Sequence, residues 1–316
     1  MSRRVLITGA RAPVALELAR RFHRQGWQVH MADSGSAWTS RCSRAIVRFH
    51  RVPPPRQAPA EFTRALARVV TTHGIDLLLP TCEEGFHIAG HRALLPAGLH
   101  APLAPLETLR GLHSKWDFLD IARRCGAAPA DSARVWSLDD AREWAAGHGV
   151  VLKPEYSRFG THTRVYSTGI TASAPALQTA GAWVVQRYVA GTELCSHAVA
   201  VRGKLRVLQH YQPVHRLAGS ASYYMRAVQA PQLDACMERI VADQAFDGQL
   251  GVDWIVDAAG QPHALECNPR ATSGLHLLPH DQDAAVVAAL CGDTVREATA
   301  PLVQQPGAPL THLERA

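Results

Sequence analysis

The stretch ALECNPRATSG, Ala264 to Gly274, decides how the rest of this chain is read. It sets a carboxylate, Glu266, two residues from an amide, Asn268, and follows them with Pro269, Arg270 and Gly274. Asn268 is the only asparagine in 316 residues. With the segment before it, GVDWIVDAAGQPHALECN, it reads as a β-hairpin turning at Ala259-Gly260. A two-residue turn there pairs Ala258 with Gln261, and counting outward sets Asp253 opposite Glu266. Cross-strand partners share a face, and so do residues two apart along a strand. Asp253, Glu266 and Asn268 then converge on one patch, while Cys267 points the other way. Three hard oxygen donors on a rigid hairpin suit magnesium, which takes a few side chains and completes its shell with substrate phosphates. A solvent-facing polar strand would account for the two carboxylates but not for the sole asparagine beside them.

Composition bounds the function. At 47% hydrophobic and 19% charged, the chain reads as an ordinary globular protein, long enough for one large or two to three smaller domains. No run approaches the roughly 18 apolar residues of a membrane span, and the opening MSRRVLITGA lacks the apolar core of a signal peptide. Seven scattered cysteines with no C-x-x-C pair argue against zinc and disulfide frameworks and for a reducing cytoplasm. The net charge of +6 comes from basic residues spread over the whole length. It points to a solvated surface or a nucleotide-sized polyanion rather than to nucleic acid. Three lysines stand among thirty arginines. Where arginine is so preferred, Lys115, Lys153 and Lys204 mark places that need a compact ammonium on a flexible stem.

The N-terminal segment gives a strand at Val5 to Ile7, helical spacing at Leu16, Leu18, Ala19 and Phe22, and the extended QVHMAD ending at Asp33. Its loop TGARAPVA has Gly9 alone, with Pro13 where a glycine would admit a pyrophosphate, so G-x-G-x-x-G is missing. A Rossmann-like unit without a dinucleotide is expected. A strand in RAIVRFHRV, a helix over Glu61 to Thr72, the buried strand GIDLLLPT and a helix in CEEGFHIAGHRALL follow. Glu83 and Glu84 stand just past a strand's carboxyl end, where α/β sheets line their clefts. His87 and His91 form an i, i+4 pair able to meet a metal, without a matching third ligand. A helix carrying Lys115 is expected to run to Cys125, and DDAREWAAGHG forms the next. VVLKPEYSRFGTHTRVYS reads as strand, loop, strand, and the following strands turn at Ala190-Gly191 and Arg202-Gly203. The helix APQLDACMERIVADQA leads into the hairpin, and the tail after Val303 is expected to be loosely ordered.

LECNPR resembles the E-x-N-P-R signature of the ATP-grasp enzymes, and further pieces resemble that family in the correct order. Lys115 in SKWDFLDIARRCG and Lys153 in VLKPEYSRFG stand where the family's two phosphate-contacting lysines stand. VVQRYVAGTE resembles its hinge. The resemblance implies that Gln186 and the Arg187 carbonyl meet the adenine amino group, the Val189 amide meets the ring, and Glu193 holds the ribose hydroxyls. It also implies that Asp253, Glu266 and Asn268 hold two magnesium ions, with manganese able to substitute. It covers roughly residues 1–300 and implies an α/β chain, α+β in its ATP-grasp part. A Rossmann-like pre-ATP-grasp domain at 1–105 precedes a two-lobed ATP-grasp domain, with the small lobe at 106–190 and the large, metal-bearing lobe at 191–316.

The departures matter too. The loop PEYSRFGTHT has one glycine where many members have several, which leaves its phosphate grip to Arg158, Thr161 or Thr163. Gln186 stands where a glutamate is common. GVD lacks the arginine that some peptide-type ligases place two residues before the aspartate, so Arg270 is the candidate for steadying an acyl phosphate, with a structural salt bridge as its other reading. The resemblance implies a cytoplasmic ligase that uses ATP and magnesium to join a small-molecule carboxylate to an amine, with Lys153 and Arg270 as the catalytic candidates. A homodimer is allowed, and neither nucleic acid nor membrane is a partner. Phosphorylation of an enol or ketone oxygen, a nicotinamide-dependent oxidoreductase and a silent ATP-binding regulator are the alternatives. Glu83, His87, Arg216, Tyr223, Tyr224 and Arg226 are candidates for the substrate pockets.

Overall fold

Three sheets succeed one another along the chain. The computed structural model describes residues 2–158, 160, 162–178, 181–216, 222–292 and, for the backbone alone, 310–311. The first sheet joins β1 (Arg4–Thr8), β2 (Gln28–Asp33), β3 (Arg48–Arg51) and β4 (Leu77–Leu79), all parallel, in the order β3-β2-β1-β4. β1 and β4 are covered on both faces, so they read as apolar runs instead of alternating. Helix Pro13–Arg24 packs Leu18 and Phe22 on one face against Val5 and Ile7, and helix Pro59–His73 packs Phe62 and Leu66 on the other against Leu6 and Leu78. The lone glycine of the first loop has a packing role. Gly9 has φ +70°, and a Cβ there would stand 2.5 Å from Thr81 Oγ1 and 3.0 Å from Glu84 Oε1.

The second sheet is antiparallel, in the order β5-β8-β6-β7, from β5 (Ser132–Val135), β6 (Val150–Pro154), β7 (Arg164–Tyr166) and β8 (Trp183–Arg187). Helix Leu138–Ala145 lies over it around Trp183, opened by a reciprocal cap between Ser137 and Asp140. The third sheet contains β9 (Thr192–Val201), β10 (Lys204–Arg216), β11 (Ser222–Val228), β12 (Gly248–Val256), β13 (Pro262–Asn268) and the two-residue β14 (Leu310–Thr311), ordered β13-β12-β9-β10-β11-β14. The Arg202-Gly203 turn joins β9 to β10 with both residues at positive φ, as a two-residue hairpin requires. Ala190-Gly191 instead carries the chain from the second sheet to the third. Apart from β14, the tail expected to be loose lies outside the described residues, as do Thr161 and residues 217–221.

Helices Leu106–His113, Asp117–Arg124 and Pro231–Asp243 cover one face of the third sheet, burying Leu112, Phe118, Met237 and Trp254. Helix Asp283–Leu290 packs against helix Pro13–Arg24 and ties the first sheet to the third. The tie is polar as well as apolar. Arg21, fully buried, donates to Asp283 Oδ1 and the Leu278 carbonyl at 2.6 Å and to the Leu275 carbonyl at 3.1 Å. Among the described residues no helix is long and apolar enough to cross a membrane.

The helix expected to carry Lys115 is broken. Ser114 leaves the helical region with ψ 116°, so Lys115 lies in a turn between two helices. The Lys115 amide donates to the Glu155 carbonyl at 3.2 Å, outside any helix ladder. The Ser114 hydroxyl accepts the Asp117 amide at 3.1 Å and donates to Glu155 Oε1 at 2.8 Å. The chain gives up one helical turn and is bolted to the end of β6.

Candidate active site

The hairpin of β12 and β13 sets Asp253 opposite Glu266 and Asn268 opposite Gly251. It does so by two departures that cancel. The turn is longer than two residues, so Val256 pairs with Pro262 and Trp254 with Ala264, one residue off the expected count. A bulge then inserts Leu265 as an extra residue and restores Asp253 against Glu266. Asn268 Nδ2 lies 3.5 Å from both Asp253 Oδ2 and Glu266 Oε1. Cys267 faces away into the core beneath the helices.

Both expected lysines arrive at this hairpin, from different segments and both buried. Lys115 Nζ pairs with Glu266 Oε2 at 3.1 Å and donates to the Ser157 carbonyl at 3.3 Å. Lys153 Nζ, from β6, donates to Gln186 Oε1 at 3.1 Å and to the Leu265 carbonyl at 2.9 Å. The bulge residue thus presents its backbone oxygen to a lysine. Lys204, by contrast, is exposed at the start of β10.

The charges of this cluster are unequal. Burial, then the neighbouring Glu266 charge, pushes the Asp253 carboxyl up to about 7. Burial acts on Glu266 in the same sense, but the ammonium groups of Lys115 and Lys153 outweigh it and hold that carboxyl below its usual range. Burial lowers the Lys153 ammonium to about 8, against the pull of Glu266. Cys195, across the ladder from Asp253, is kept a thiol by burial and by that carboxylate.

This donor set fits a hard divalent cation. Asp253 and Glu266 crowd each other so closely that one resists ionising, a conflict that a positive ion would resolve, and Asn268 adds a neutral oxygen. Among the described residues no group of three or more His, Cys, Asp and Glu side chains is placed to hold a metal. The set therefore suits an ion shared with substrate oxygens, not a closed protein cage. His91 does not complete a site with His87. It lies beyond the helix end, and its Nδ1 sits 2.9 Å from the His87 carbonyl.

The hinge segment follows β8. Gln186 is buried between Lys153 and the Ser132 hydroxyl, to which its Nε2 donates at 3.1 Å. The Arg187 guanidinium turns back to the Ala145 carbonyl at 2.7 Å and lies over the Trp144 ring at 4.4 Å. Val189 comes two residues later. Glu193, two residues before Cys195 on β9, shares the Asp253 face and pairs with Arg216. Arg226 donates to Gln212 Oε1 at 2.8 Å, Tyr223 is exposed and stacks on His215, and Tyr224 lies tilted against the same ring.

Arg270 joins the metal-type set to the first sheet. Its Nη2 donates to Asn268 Oδ1 at 3.1 Å and its Nε pairs with Glu83 Oε1 at 2.9 Å. Arg158, from the loop after β6, pairs with the other oxygen of Glu83 at 3.0 Å. Sequence reasoning named these residues but not their meeting. It missed Ser114 and Glu155, which position Lys115, although the Ser-x-x-Asp spacing at Ser114 and Asp117 is a helix-start signal. It also missed the Leu265 carbonyl, which no side-chain pattern announces.

The arrangement is a hairpin bearing two acids and an amide, flanked by two buried lysines, at the junction of three sheets. The fold in which they sit is similar to that of solved ATP-grasp enzymes. The chain superposes on N5-carboxyaminoimidazole synthetase from Staphylococcus aureus complexed with ADP, with TM-score 0.73 and 13% identity over 98% of this chain and 82% of that one. It matches the biotin carboxylase domain of Hydrogenobacter thermophilus 2-oxoglutarate carboxylase with TM-score 0.72 and 12% identity, over 94% and 71%. An L-amino acid ligase from Bacillus licheniformis gives 0.63 and 13%, over 99% and 76%. No family model matches the sequence, and no curated protein matches it.

Proposed function

We propose that this protein is an ATP-dependent ligase that joins a carboxylate to an amine through an acyl phosphate, releasing ADP and phosphate. One observation carries the reading. Lys115 and Lys153, from separate segments, converge on the Glu266 hairpin within 3.1 Å, opposite Asp253. Two ammonium groups beside a divalent-cation set make a clamp for the polyphosphate end of a nucleotide. Asp253, Glu266 and Asn268 would hold that cation, which would supply positive charge against the charge that develops on transfer. The solved structures with this fold include complexes with ADP, which supports the same nucleotide.

The roles follow from position. Asp253, Glu266 and Asn268 would hold magnesium, and Lys115 and Lys153 would orient the phosphates. Gln186, Arg187, Val189 and Glu193 would receive the nucleoside, which requires Glu193 to leave Arg216. The substrate carboxylate oxygen would take the terminal phosphoryl group from ATP, with ADP as leaving group. The amine nitrogen would then attack the acyl carbon, phosphate would depart, and the nitrogen would lose a proton. Arg270 is placed to steady the acyl phosphate. We read the parallel sheet as a Rossmann-like pre-ATP-grasp unit within residues 1–105, supported by its β3-β2-β1-β4 order, with the lobes at 106–190 and 191–316. A reducing cytoplasm is proposed because none of the described cysteines is joined in a disulfide.

The test is to incubate the protein with magnesium-ATP, a panel of carboxylates and hydroxylamine as the sole amine, then resolve the nucleotides. The expected result is ADP together with a hydroxamate from the trapped acyl phosphate. AMP as the nucleotide product overturns the mechanism.

A further inference from the structure

Glu83 stands in the loop after β4, one residue before helix Glu84–Gly90, and its two oxygens are divided between two arginines from distant segments. Oε1 faces Arg270 Nε at 2.9 Å, and Oε2 faces Arg158 Nη1 at 3.0 Å. The turn that projects it is rigid. The neighbouring Glu84 Oε1 accepts the Thr8 hydroxyl at 2.6 Å and the amides of Thr81 and Cys82 at 3.1 Å each. Arg270 is only 15% exposed and in turn donates to Asn268 of the metal-type set. A carboxylate therefore already bridges two guanidinium groups, one of which also reaches Asn268 of the metal-type set.

We propose that Glu83 occupies the binding position of the substrate carboxylate, and that the substrate enters by exchange with Glu83 at Arg270 and Arg158. The inference rests on the ligase reading and adds a location and a selection rule to it. Exchange of one carboxylate for another keeps both charge-assisted pairs, so it costs little. A neutral or cationic molecule offers no negative charge to replace the Glu83 carboxylate between the two guanidinium groups and is rejected. Glu83 is thus a specificity-determining residue for an anionic acceptor. Its own charge sets the threshold affinity that a substrate must exceed.

The experiment uses sodium acetate as the probe, titrated calorimetrically against chloride-matched buffer without nucleotide. Removing the internal competitor should tighten binding, so Glu83→Gln is expected to bind acetate about tenfold more tightly than the unsubstituted protein, a change of about 1.4 kcal/mol. Adding Arg270→Gln to that variant should abolish the gain. Glu83→Asp, which keeps the charge on a shorter stem, should fall between and serves if the glutamine variant does not fold. A carboxylate that merely holds the fold together would give unchanged or weaker acetate binding on replacement, and that result overturns the proposal. So does a gain that survives Arg270→Gln. Magnesium-ADP titrated separately into the unsubstituted protein tests the ligase reading, so the two can fail independently.

Discussion

The Lys115 ammonium lies 3.1 Å from the Glu266 carboxylate, and this one ion pair separates the behaviour of two acids that face each other across a ladder. Glu266 is held ionised by its lysines, whereas Asp253 is pushed towards its protonated form by burial and by Glu266 itself. The same charge is favoured on one strand and opposed on the next.

Neutralising the two acids should therefore have opposite effects on stability. Asp253→Asn removes a charge the fold resists and is expected to raise Tm in chelator at pH 8. Glu266→Gln strands a buried lysine and should lower it. Both should reduce magnesium-dependent turnover by at least about 100-fold, since each removes a proposed metal ligand. Thermal melts in chelator with hydroxamate assays check this, and near wild-type turnover in Glu266→Gln would reject the hairpin as the metal site. The pH sign is fixed as well. The folded Asp253 keeps its proton up to about 7, against an ordinary aspartate value of 3.8, so its contribution is complete below about pH 4 and is lost as pH rises through 7. The Asp253→Asn melts should lack that decline.

Lys153→Arg should lower turnover by at least about tenfold, equivalent to about 1.4 kcal/mol of barrier. The Lys153 ammonium fits between the Gln186 amide and the Leu265 carbonyl, and a planar fork cannot take its place. Lys204→Arg, on an exposed strand start, should leave turnover unchanged. Equal effects at the two positions would remove the argument from lysine scarcity.

Acid should loosen the first sheet. His30, His50 and His73 cluster with ring centroids 4.9–5.2 Å apart, His30 and His50 stacked and His73 tilted against both, and His30 Nδ1 meets His50 Nε2 at 3.0 Å. Burial first, then neighbouring histidines and arginines, lowers His30 and His50 to about 4. The unfolded chain takes up protons near 6.5 while the fold refuses them, so stability is lost as pH falls from about 6.5 towards 4. His50→Gln should flatten that limb of a Tm–pH curve, and an unchanged slope would place the acid sensitivity elsewhere.

Gly9→Ala should destabilise the protein by about 2 kcal/mol, from positive φ and a clash with Thr81 together. Chemical denaturation measures it. A neutral outcome would mean that the ends of β1 and β4 are not packed as tightly as their 2.5 Å approach implies.

The order of strands and helices is legible in this chain because hydrophobic period is local. Leu77–Leu79 and the helical spacing of Pro59–His73 need no partner to be recognised. The site is legible where rarity points to it, at Asn268, Lys115 and Lys153. What is hidden is long-range or belongs to the backbone. Nothing near Glu83 in sequence says that Arg158 and Arg270 will meet it, and the break at Ser114 comes from Glu155, which is forty-one residues away. The hairpin count reached Asp253 and Glu266 through a turn one residue too short, and only the bulge at Leu265 made the count come out right.

That bulge also shapes which mutations the site can feel. Lys153 leans on the Leu265 carbonyl, and a carbonyl is encoded at every position whatever codon stands there. Exchanges of Leu265 for other residues leave the acceptor in place, so point mutation can tune its side chain without loosening the lysine. Deleting the residue is another matter. Loss of that single codon would remove the bulge, join Ala264 directly to Glu266 with Asp253 still opposite, and take away the carbonyl that holds Lys153. Here the presence of one extra residue, more than the identity of its side chain, is what inheritance has to preserve.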